Sequence, residues 1–315
     1  MIELSLIRAA ASRIAGRVHR TPLLRSERIG ERIGASLHLK CESFQKTGSF
    51  KPRGALNKVL SLSEAERARG LVTVSAGNHA QAVAWAARQA GVSAVVVMPT
   101  DAPRTKIEAV RGYGAEIVLH DDRPTLFDRL NAVREERGLT FIHPFDDAAI
   151  IAGAGTTGLE ILEDLPDADV VVVPVGGGGL LAGIASAVKA VRPRTRVVAV
   201  ELEAGPGLTP ALAAGRPVPV ARPKTLADGM TPPFVGALNL EIAREAVDEI
   251  VFVSEAAIRE AMALLMTRAK LWVEGSGAAA TAALLEGRVP DVAGRRVVAL
   301  VSGGNADLSA IAEIT

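Results

Sequence analysis

Cysteine is almost missing from this chain. Cys41 stands alone among 315 residues, so no internal disulfide is possible, and a lone thiol suits a reducing, cytoplasmic setting. Aromatic residues are scarce at 3%, and the net charge is only +1, with no block of lysine or arginine. Nucleic-acid binding rests on clustered cations, often with stacking rings, so that class is set aside. The five histidines (His19, His38, His79, His120, His143) are scattered, with no HxH or HxxxH pair to suggest a metal site. A Gly-x-Ser-x-Gly nucleophile elbow is missing too, because the "GSG" at 275–277 lacks its spacing. Val170–Val188 carries no charge and is long enough to span a bilayer, but Pro174 and Gly176–Gly179 interrupt it. A strand, a loop and a helix explain it better, so no membrane partner is expected. At the N-terminus, Arg8, Arg13 and Arg17 break up any signal-peptide core. Leu6, Ile7, Ala10, Ile14 and Val18 keep helical spacing there, which predicts an amphipathic helix.

What is plentiful is apolar sequence in short runs. Hydrophobic residues make up 49%, enough for a full core, and the length suits two modest domains or one large unit. Strands are expected at 37–40, 71–74, 94–98, 116–119, 170–173, 196–200, 250–253 and 297–301. Helical patterns at 78–89, 104–111, 147–162 and 255–269 alternate with them. Several strand runs are apolar throughout, which is how strands covered on both faces of a parallel sheet read. The fold class is therefore α/β, with three-layer sandwiches. "RPVPVARPK" at 216–224 reads as a surface loop, and too little chain follows Ala306 for a separate regulatory domain.

Three strand ends carry small polar residues. "DADVVVVPVGGGGLLAGIASAVKAV" is a strand, a glycine loop and a helix. Its loop amides and helix N-terminus suit an anion, and glycines let a phosphate approach the backbone; a tight turn without ligand is the alternative. Leu181 breaks the dinucleotide fingerprint, although Glu201, about 20 residues on, keeps a weak nicotinamide reading open. No Lys-Ser/Thr follows, so a Walker loop is excluded. "VTVSAGNHAQAVAWAA" places Ser75, Gly77, Asn78 and His79 at the C-terminal end of a strand, where open α/β sheets bind ligands, a carboxylate among them. Plain helix capping by Ser75 or Asn78 competes with that reading. Ser302, in "LVSGGNAD", is a candidate partner for a ring nitrogen or a simple cap. Lys51 sits in "ESFQKTGSFKPRGALNK", among turn-formers, an aromatic ring and a helix-starting proline, an unusual place for a solvated cation.

In order along the chain, "RTPLLRS", "LKCESFQKTGSFKPRGA", "SAGNHAQAVA", "IHPFDD" with "IAGAGTTGLE", "PVGGGGLLAG", "TLADGM" and "VSGGNAD" resemble the fold-type II, tryptophan synthase β-like family of pyridoxal 5'-phosphate (PLP) enzymes. Within it they look most like threonine/serine dehydratases and serine racemase. The resemblance implies two three-layer αβα domains with mostly parallel sheets: residues 1–49 and 145–315 forming a large PLP-binding domain, and 50–144 a small mobile one. It implies that Lys51 forms the Schiff base with the cofactor aldehyde and that Phe50 packs on the ring, with Gly229 on the other face. Asn78 matches the partner of the ring oxygen, Ser302 that of the pyridine nitrogen, and Gly176, Gly177, Gly178, Gly179 and Leu180 the phosphate cup. Ser75, Gly77 and His79 match the substrate-carboxylate loop, and Glu274 an acid lining the site.

The implied chemistry is β-elimination from L-threonine or L-serine, a small amino-acid substrate, to a 2-oxo acid and ammonia. Lys51 takes the Cα proton, and a neutral hydroxyl at Ser302 leaves the ring nitrogen unprotonated, which favours prompt elimination. The alternatives are a dehydratase for another β-hydroxy amino acid (3-hydroxyaspartate, phenylserine), a serine racemase, or a non-catalytic binding protein on the same fold. Racemases place a serine where this chain has Ala76. Glu201 matches one acid of the family's divalent-metal site, but Gly207 stands at the other, so no metal is expected. Thr231-Pro232-Pro233-Phe234 and Gly275 also depart from the family pattern. A homodimer is what the family implies.

Overall fold

The computed structural model describes residues 1–312. Its elements run α1 (Leu4–Ile14), β1 (Leu23–Arg25), α2 (Glu27–Ile33), β2 (Ser36–Cys41), α3 (Lys51–Ser61), α4 (Glu64–Ala68), β3 (Leu71–Val74), α5 (Asn78–Ala90), β4 (Ala94–Pro99), α6 (Arg104–Gly112), β5 (Glu116–His120), α7 (Leu126–Arg137) and β6 (Thr140–Phe141). There follow α8 (Ala148–Asp164), β7 (Val170–Pro174), α9 (Gly179–Val191), β8 (Arg196–Leu202), α10 (Leu208–Ala214), α11 (Ala237–Ala246), β9 (Glu249–Val253), α12 (Glu255–Thr267), α13 (Gly275–Leu285), β10 (Arg296–Val301) and α14 (Leu308–Ala312).

The strands form two sheets. One has the order β1-β2-β10-β7-β8-β9 and the other β5-β4-β3-β6. Every pairing is parallel except β1 with β2. The apolar strand runs are explained by alternation between two cores. Val171, Val173, Val197, Ala199, Val298 and Leu300 face one helical layer, while Val170, Val172, Val198, Val200, Val297 and Ala299 face the other. The smaller sheet repeats the device, with Leu71, Val96 and Met98 on one side and Val72, Val95 and Val97 on the other. Side chains alternate across a strand, so a sheet sandwiched by helices needs apolar residues at both phases.

Two short strands escaped the sequence pattern. β1 spans three residues and β6 two, too brief for a periodic signal. The N-terminal helix is shorter than its pattern. Ile7, Ala10 and Ile14 are buried as expected, but Leu6 is 50% exposed and Val18 lies past the helix end. Residues 216–225 carry no helix or strand, in keeping with the expected loop. Among the described residues, no helix is long and apolar enough to cross a membrane.

Helix α8 joins the parts that matter. A Cβ on Gly153 would strike the backbone of Arg53 and Gly54 in α3. On Gly183 of α9 it would lie 2.5 Å from the Ile151 carbonyl of α8. The glycines of "IAGAGTTG" and "LLAGI" thus let α3, α8 and α9 pack backbone to backbone, locking the helix that starts at Lys51 to the helix that follows the glycine loop.

A buried ion cluster fixes α3 further. The Arg53 guanidinium donates to Glu42 Oε2 and Oε1 at 2.8 Å each and to Glu160 Oε1 and Oε2 at 2.7 and 2.8 Å. Lys40 Nζ donates to Glu160 Oε2 and to the Thr21 carbonyl, both at 2.7 Å. Arg53, Lys40 and Glu42 are fully buried. Two cations meet two carboxylates at hydrogen-bond distance, with Asp164 a third carboxylate 3.9 Å from Lys40 Nζ, and removing Arg53 leaves buried negative charge uncompensated. Arg53→Met is expected to cost about 3–5 kcal/mol of unfolding free energy; urea denaturation checks it, and a loss under about 1 kcal/mol would show that the site relaxes or admits water.

Candidate active site

Four chain segments converge at the C-terminal ends of β3, β7 and β10. The turn before α3 is zipped to the end of β10. Phe50 N–H donates to Ser302 O at 3.1 Å, Gly304 N–H donates to Gly48 O at 2.8 Å, and Ser49 bridges Gly303. That pairing sets Lys51, the first residue of α3, beside Ser302.

The Lys51 amine donates to the Pro144 carbonyl at 2.8 Å and lies 5.2 Å from the centre of the Phe50 ring. Removal from water lowers its pKa from 10.5 to about 8. His79 and His143 surround it. Burial first, and the lysine charge next, hold His79 well below its ordinary value, and its ring N–H contacts the Ile142 carbonyl at 3.3 Å. His143 is lowered too, first by burial, and its Nδ1 accepts from Asp146 N–H at 2.8 Å. Both imidazoles are therefore neutral near pH 7.

Asn78 opens α5, and its side chain is held at both ends. Nδ2 donates to Glu274 Oε1 at 2.7 Å, and Oδ1 accepts from Asn305 at 2.8 Å. Burial, then the charge of Asp228, pushes the Glu274 carboxyl up to about 7. Ser75 Oγ accepts from Gly77 N–H at 3.1 Å, and among the described residues no side chain caps α5. Ser302 Oγ donates to the Ser276 carbonyl at 3.2 Å. Ser276 Oγ is buried and, among the described residues, has no partner; it sits 2.9 Å from where a Cβ on Gly229 would lie.

The glycine loop stands against this group. Gly176–Gly178 lead into α9, whose first amides have no partner within the helix and, among the described residues, no side-chain cap. The loop is pressed from behind. A Cβ on Gly176 would meet the Gly229 carbonyl at 2.5 Å, one on Gly177 would strike the Phe145 ring, and one on Gly178 (φ +94°) would meet Asn239 at 2.7 Å. The residues singled out from the sequence come together here: Lys51, Phe50, Ser75, Gly77, Asn78, His79, Gly176–Leu180 and Ser302 lie in these four segments, and Gly229 and Glu274 lie in two further segments that touch Gly176 and Asn78.

A phosphate-bearing, ring-nitrogen cofactor fits this donor set. It finds uncapped helix amides, an amine of lowered pKa, a neutral serine hydroxyl and an amide side chain with a spare N–H. The site of the divalent metal does not fit. Both Glu201 oxygens are occupied, accepting from the N–H groups of Gly207 (2.6 Å), Leu208 (2.5 Å) and Thr209 (2.9 Å) and from the Thr209 hydroxyl (2.6 Å). Among the described residues no group of three or more His, Cys, Asp or Glu could hold a metal.

Sequence reasoning missed several neighbours. His143, Phe145 and Phe234 form an edge-to-face series, with ring centres 4.8 and 5.5 Å apart. Phe145 lay in a quoted motif but drew no role. Lys106 reaches from α6 to Asp228 at 3.0 Å, and Asn239 lies behind the glycine loop; neither sits in a pattern that points to a site.

Comparison with known proteins agrees with this geometry. A family model described as "Pyridoxal-phosphate dependent enzyme" matches residues 14–303. The catabolic L-threonine dehydratase TdcB of Escherichia coli (strain K12) is 46% identical over 308 residues, 97% of this chain and 94% of that protein. Among solved structures, maize serine racemase aligns with a TM-score of 0.94 at 39% identity, over 99% of this chain and 96% of that one. The serine racemase of Dictyostelium discoideum aligns at 0.91 and 38%, over 98% and 99%.

In the cofactor-free protein, Lys51 is expected to react with an amine-directed acylating reagent along a titration curve centred near pH 8. As pH rises through that value the amine loses its proton and becomes nucleophilic. Mass-spectrometric labelling rates read this directly, and a midpoint above about 10, the range of a solvated lysine, would show an amine that is not desolvated.

Proposed function

We infer that this chain, which belongs to the pyridoxal-phosphate dependent enzyme family, is an ammonia-lyase acting on L-threonine and L-serine to give a 2-oxo acid and ammonia. The observation that carries the reading is the desolvated Lys51 amine, set beside Ser302 and the glycine loop in a chain 46% identical to a threonine dehydratase over 97% of its length.

PLP, when bound, supplies the electron sink that acidifies the substrate Cα–H. Gly176, Gly177, Gly178, Gly179 and Leu180 would hold its phosphate, Ser302 its ring nitrogen and Asn78 its ring oxygen, with Phe50 and Gly229 on its two faces. Glu274 backs Asn78 and, with its carboxyl near 7, adds little negative charge below that pH. Ser75, Gly77 and His79 would receive the substrate carboxylate at the uncapped start of α5. Lys51 acts as the base. Its lowered pKa raises the neutral fraction at pH 7 by more than about a hundredfold over an ordinary lysine. Its bond to the Pro144 carbonyl uses an N–H and leaves the lone pair for the Cα proton. A cytoplasmic location and a homodimeric assembly are further parts of the proposal; so is movement of residues 50–144 as a unit that closes over the substrate.

The serine racemase reading draws support from the likeness to the maize enzyme. Racemisation needs a second acid, on the face opposite the lysine. Residue 76 is alanine, and neighbouring His79 and His143 are neutral. Elimination is therefore the favoured outcome.

The first test is release of ammonia and 2-oxo acid from the PLP-loaded protein offered L-threonine, L-serine, 3-hydroxyaspartate and phenylserine, with and without EDTA and magnesium. Turnover of threonine or serine that EDTA does not change is expected. Silence on both, with turnover of another member, would replace the substrate and keep Lys51 as base. A second expectation is that Ala76→Ser raises D-serine formation from L-serine by about a hundredfold, the lower end of what a positioned proton donor supplies; unchanged D-serine, read by chiral chromatography, would mean residue 76 is not where that acid belongs.

A further inference from the structure

Asn239 sits in the first turn of α11, 1% exposed, directly behind the glycine loop. Its Nδ2 donates to the Gly177 carbonyl at 2.8 Å and to the Phe145 carbonyl at 3.1 Å. The Gly177 carbonyl also accepts from Gly236 N–H at 3.1 Å, so two donors from the start of α11 hold it. α11 is itself pinned, because Asp146 accepts from the N–H groups of Ala237 and Leu238 at 2.9 and 3.0 Å. The other half of the Asn239 amide has no such use: Oδ1 is buried and, among the described residues, has no partner. A burial of that kind costs about 1–3 kcal/mol. A residue placed only for packing would not carry it, so the position is explained by the two N–H bonds.

The consequence follows from peptide geometry. The carbonyl of Gly177 and the N–H of Gly178 belong to one planar trans unit and point in opposite directions. With the carbonyl drawn back toward α11, the Gly178 N–H faces away from α11. Gly178 is at φ +94°, and a Cβ added there would lie 2.7 Å from Asn239 Cβ, so no side chain fits between them.

We propose that Asn239 is a positioning residue for the cofactor phosphate: it locks the Gly177–Gly178 peptide in the orientation that presents the loop amides to the anion. The same side chain ties the loop to Phe145, whose neighbour Pro144 carries the carbonyl that holds Lys51. One amide thereby sets the spacing between the phosphate end and the amine end of the site. The proposal rests on the reading of Gly176–Leu180 as the phosphate cup.

The test compares PLP with pyridoxal, which lacks the phosphate. Cofactor-free wild type, Gly178→Ala, Asn239→Asp and Asn239→Ser are titrated with each ligand, with visible absorbance and thermal melts as readouts. Asn239→Asp keeps the shape and removes the donors. Asn239→Ser removes them without adding charge, so a loss shared by both variants is not anion repulsion, and it serves alone where the aspartate variant does not fold. The expected result is PLP affinity down by about 10- to 100-fold, with pyridoxal affinity changed less than about threefold. Equal losses for both ligands would mean a merely structural role and overturn the proposal, as would no loss for either. If wild type binds both ligands alike, or Gly178→Ala loses nothing, the cup reading itself fails. If Gly178→Ala loses its preference for PLP and the Asn239 variants keep theirs, the cup stands and Asn239 has no part in it.

Discussion

The arrangement depends first on the contact between Arg53 and two carboxylates from distant parts of the chain. Glu42 precedes the lysine turn and Glu160 lies on α8, so a single guanidinium ties three segments through its fork of N–H groups. Such a cluster is weak evidence for stability, because desolvating four charges offsets most of their attraction. Its value is directional. Arg53 lies two residues beyond Lys51, in the first turn of the same helix. With that turn held, the lysine amine is confined to a short arc that includes the Pro144 carbonyl. The glycine contacts between α3 and α8 act on the same helix by sterics, and glycine is the one residue that permits them.

The glycine-loop end of the site is tied to the same frame. α8 packs on α3 through Gly153 and on α9 through Gly155 and Gly183. A shift of the lysine helix is therefore a shift of the helix whose N-terminus the glycine loop feeds. Asn239 closes the circuit from the other side, through Phe145. The sheets supply the platform, but the distance between amine and loop is set by helix contacts and by one buried side-chain amide.

Much of the fold was legible because its strands are buried on both faces. Runs such as Val170–Val173 and Val297–Val301 carry no polar residue, and that pattern appears where helices cover both sides of a parallel sheet. The strands that escaped notice, Leu23–Arg25 and Thr140–Phe141, are edge pieces too short to show a period. The site was legible where residue type and chemistry coincide, in a lysine among turn-formers and in four glycines after a strand. It was not legible where function passes through the backbone. The Pro144 carbonyl has no signature in residue type, and Asn239 matters for the two carbonyls it reaches, which lie 62 and 94 residues away. Glu201 shows the reverse case. The resemblance matches it to one acid of a divalent-metal site that Gly207 leaves incomplete, and its oxygens are filled by the amides at the start of α10.

The electrostatic character of the site follows from who is left charged. His79 and His143 are neutral, and Ser302 and Asn78 carry no charge at any ordinary pH. Glu274 is drawn toward neutrality by burial, and Lys106 is taken up by Asp228. Among the described residues, the amine of Lys51 is thus a base flanked by neutral imidazole, hydroxyl and amide groups. Protonating it costs more than in water, because burial disfavours the ammonium form. In the proposed reaction, a base in that position takes a proton only from a carbon acidified by its surroundings. With no comparable acid at Ala76 to return a proton to the opposite face, the constellation favours loss of a β-substituent over exchange of configuration.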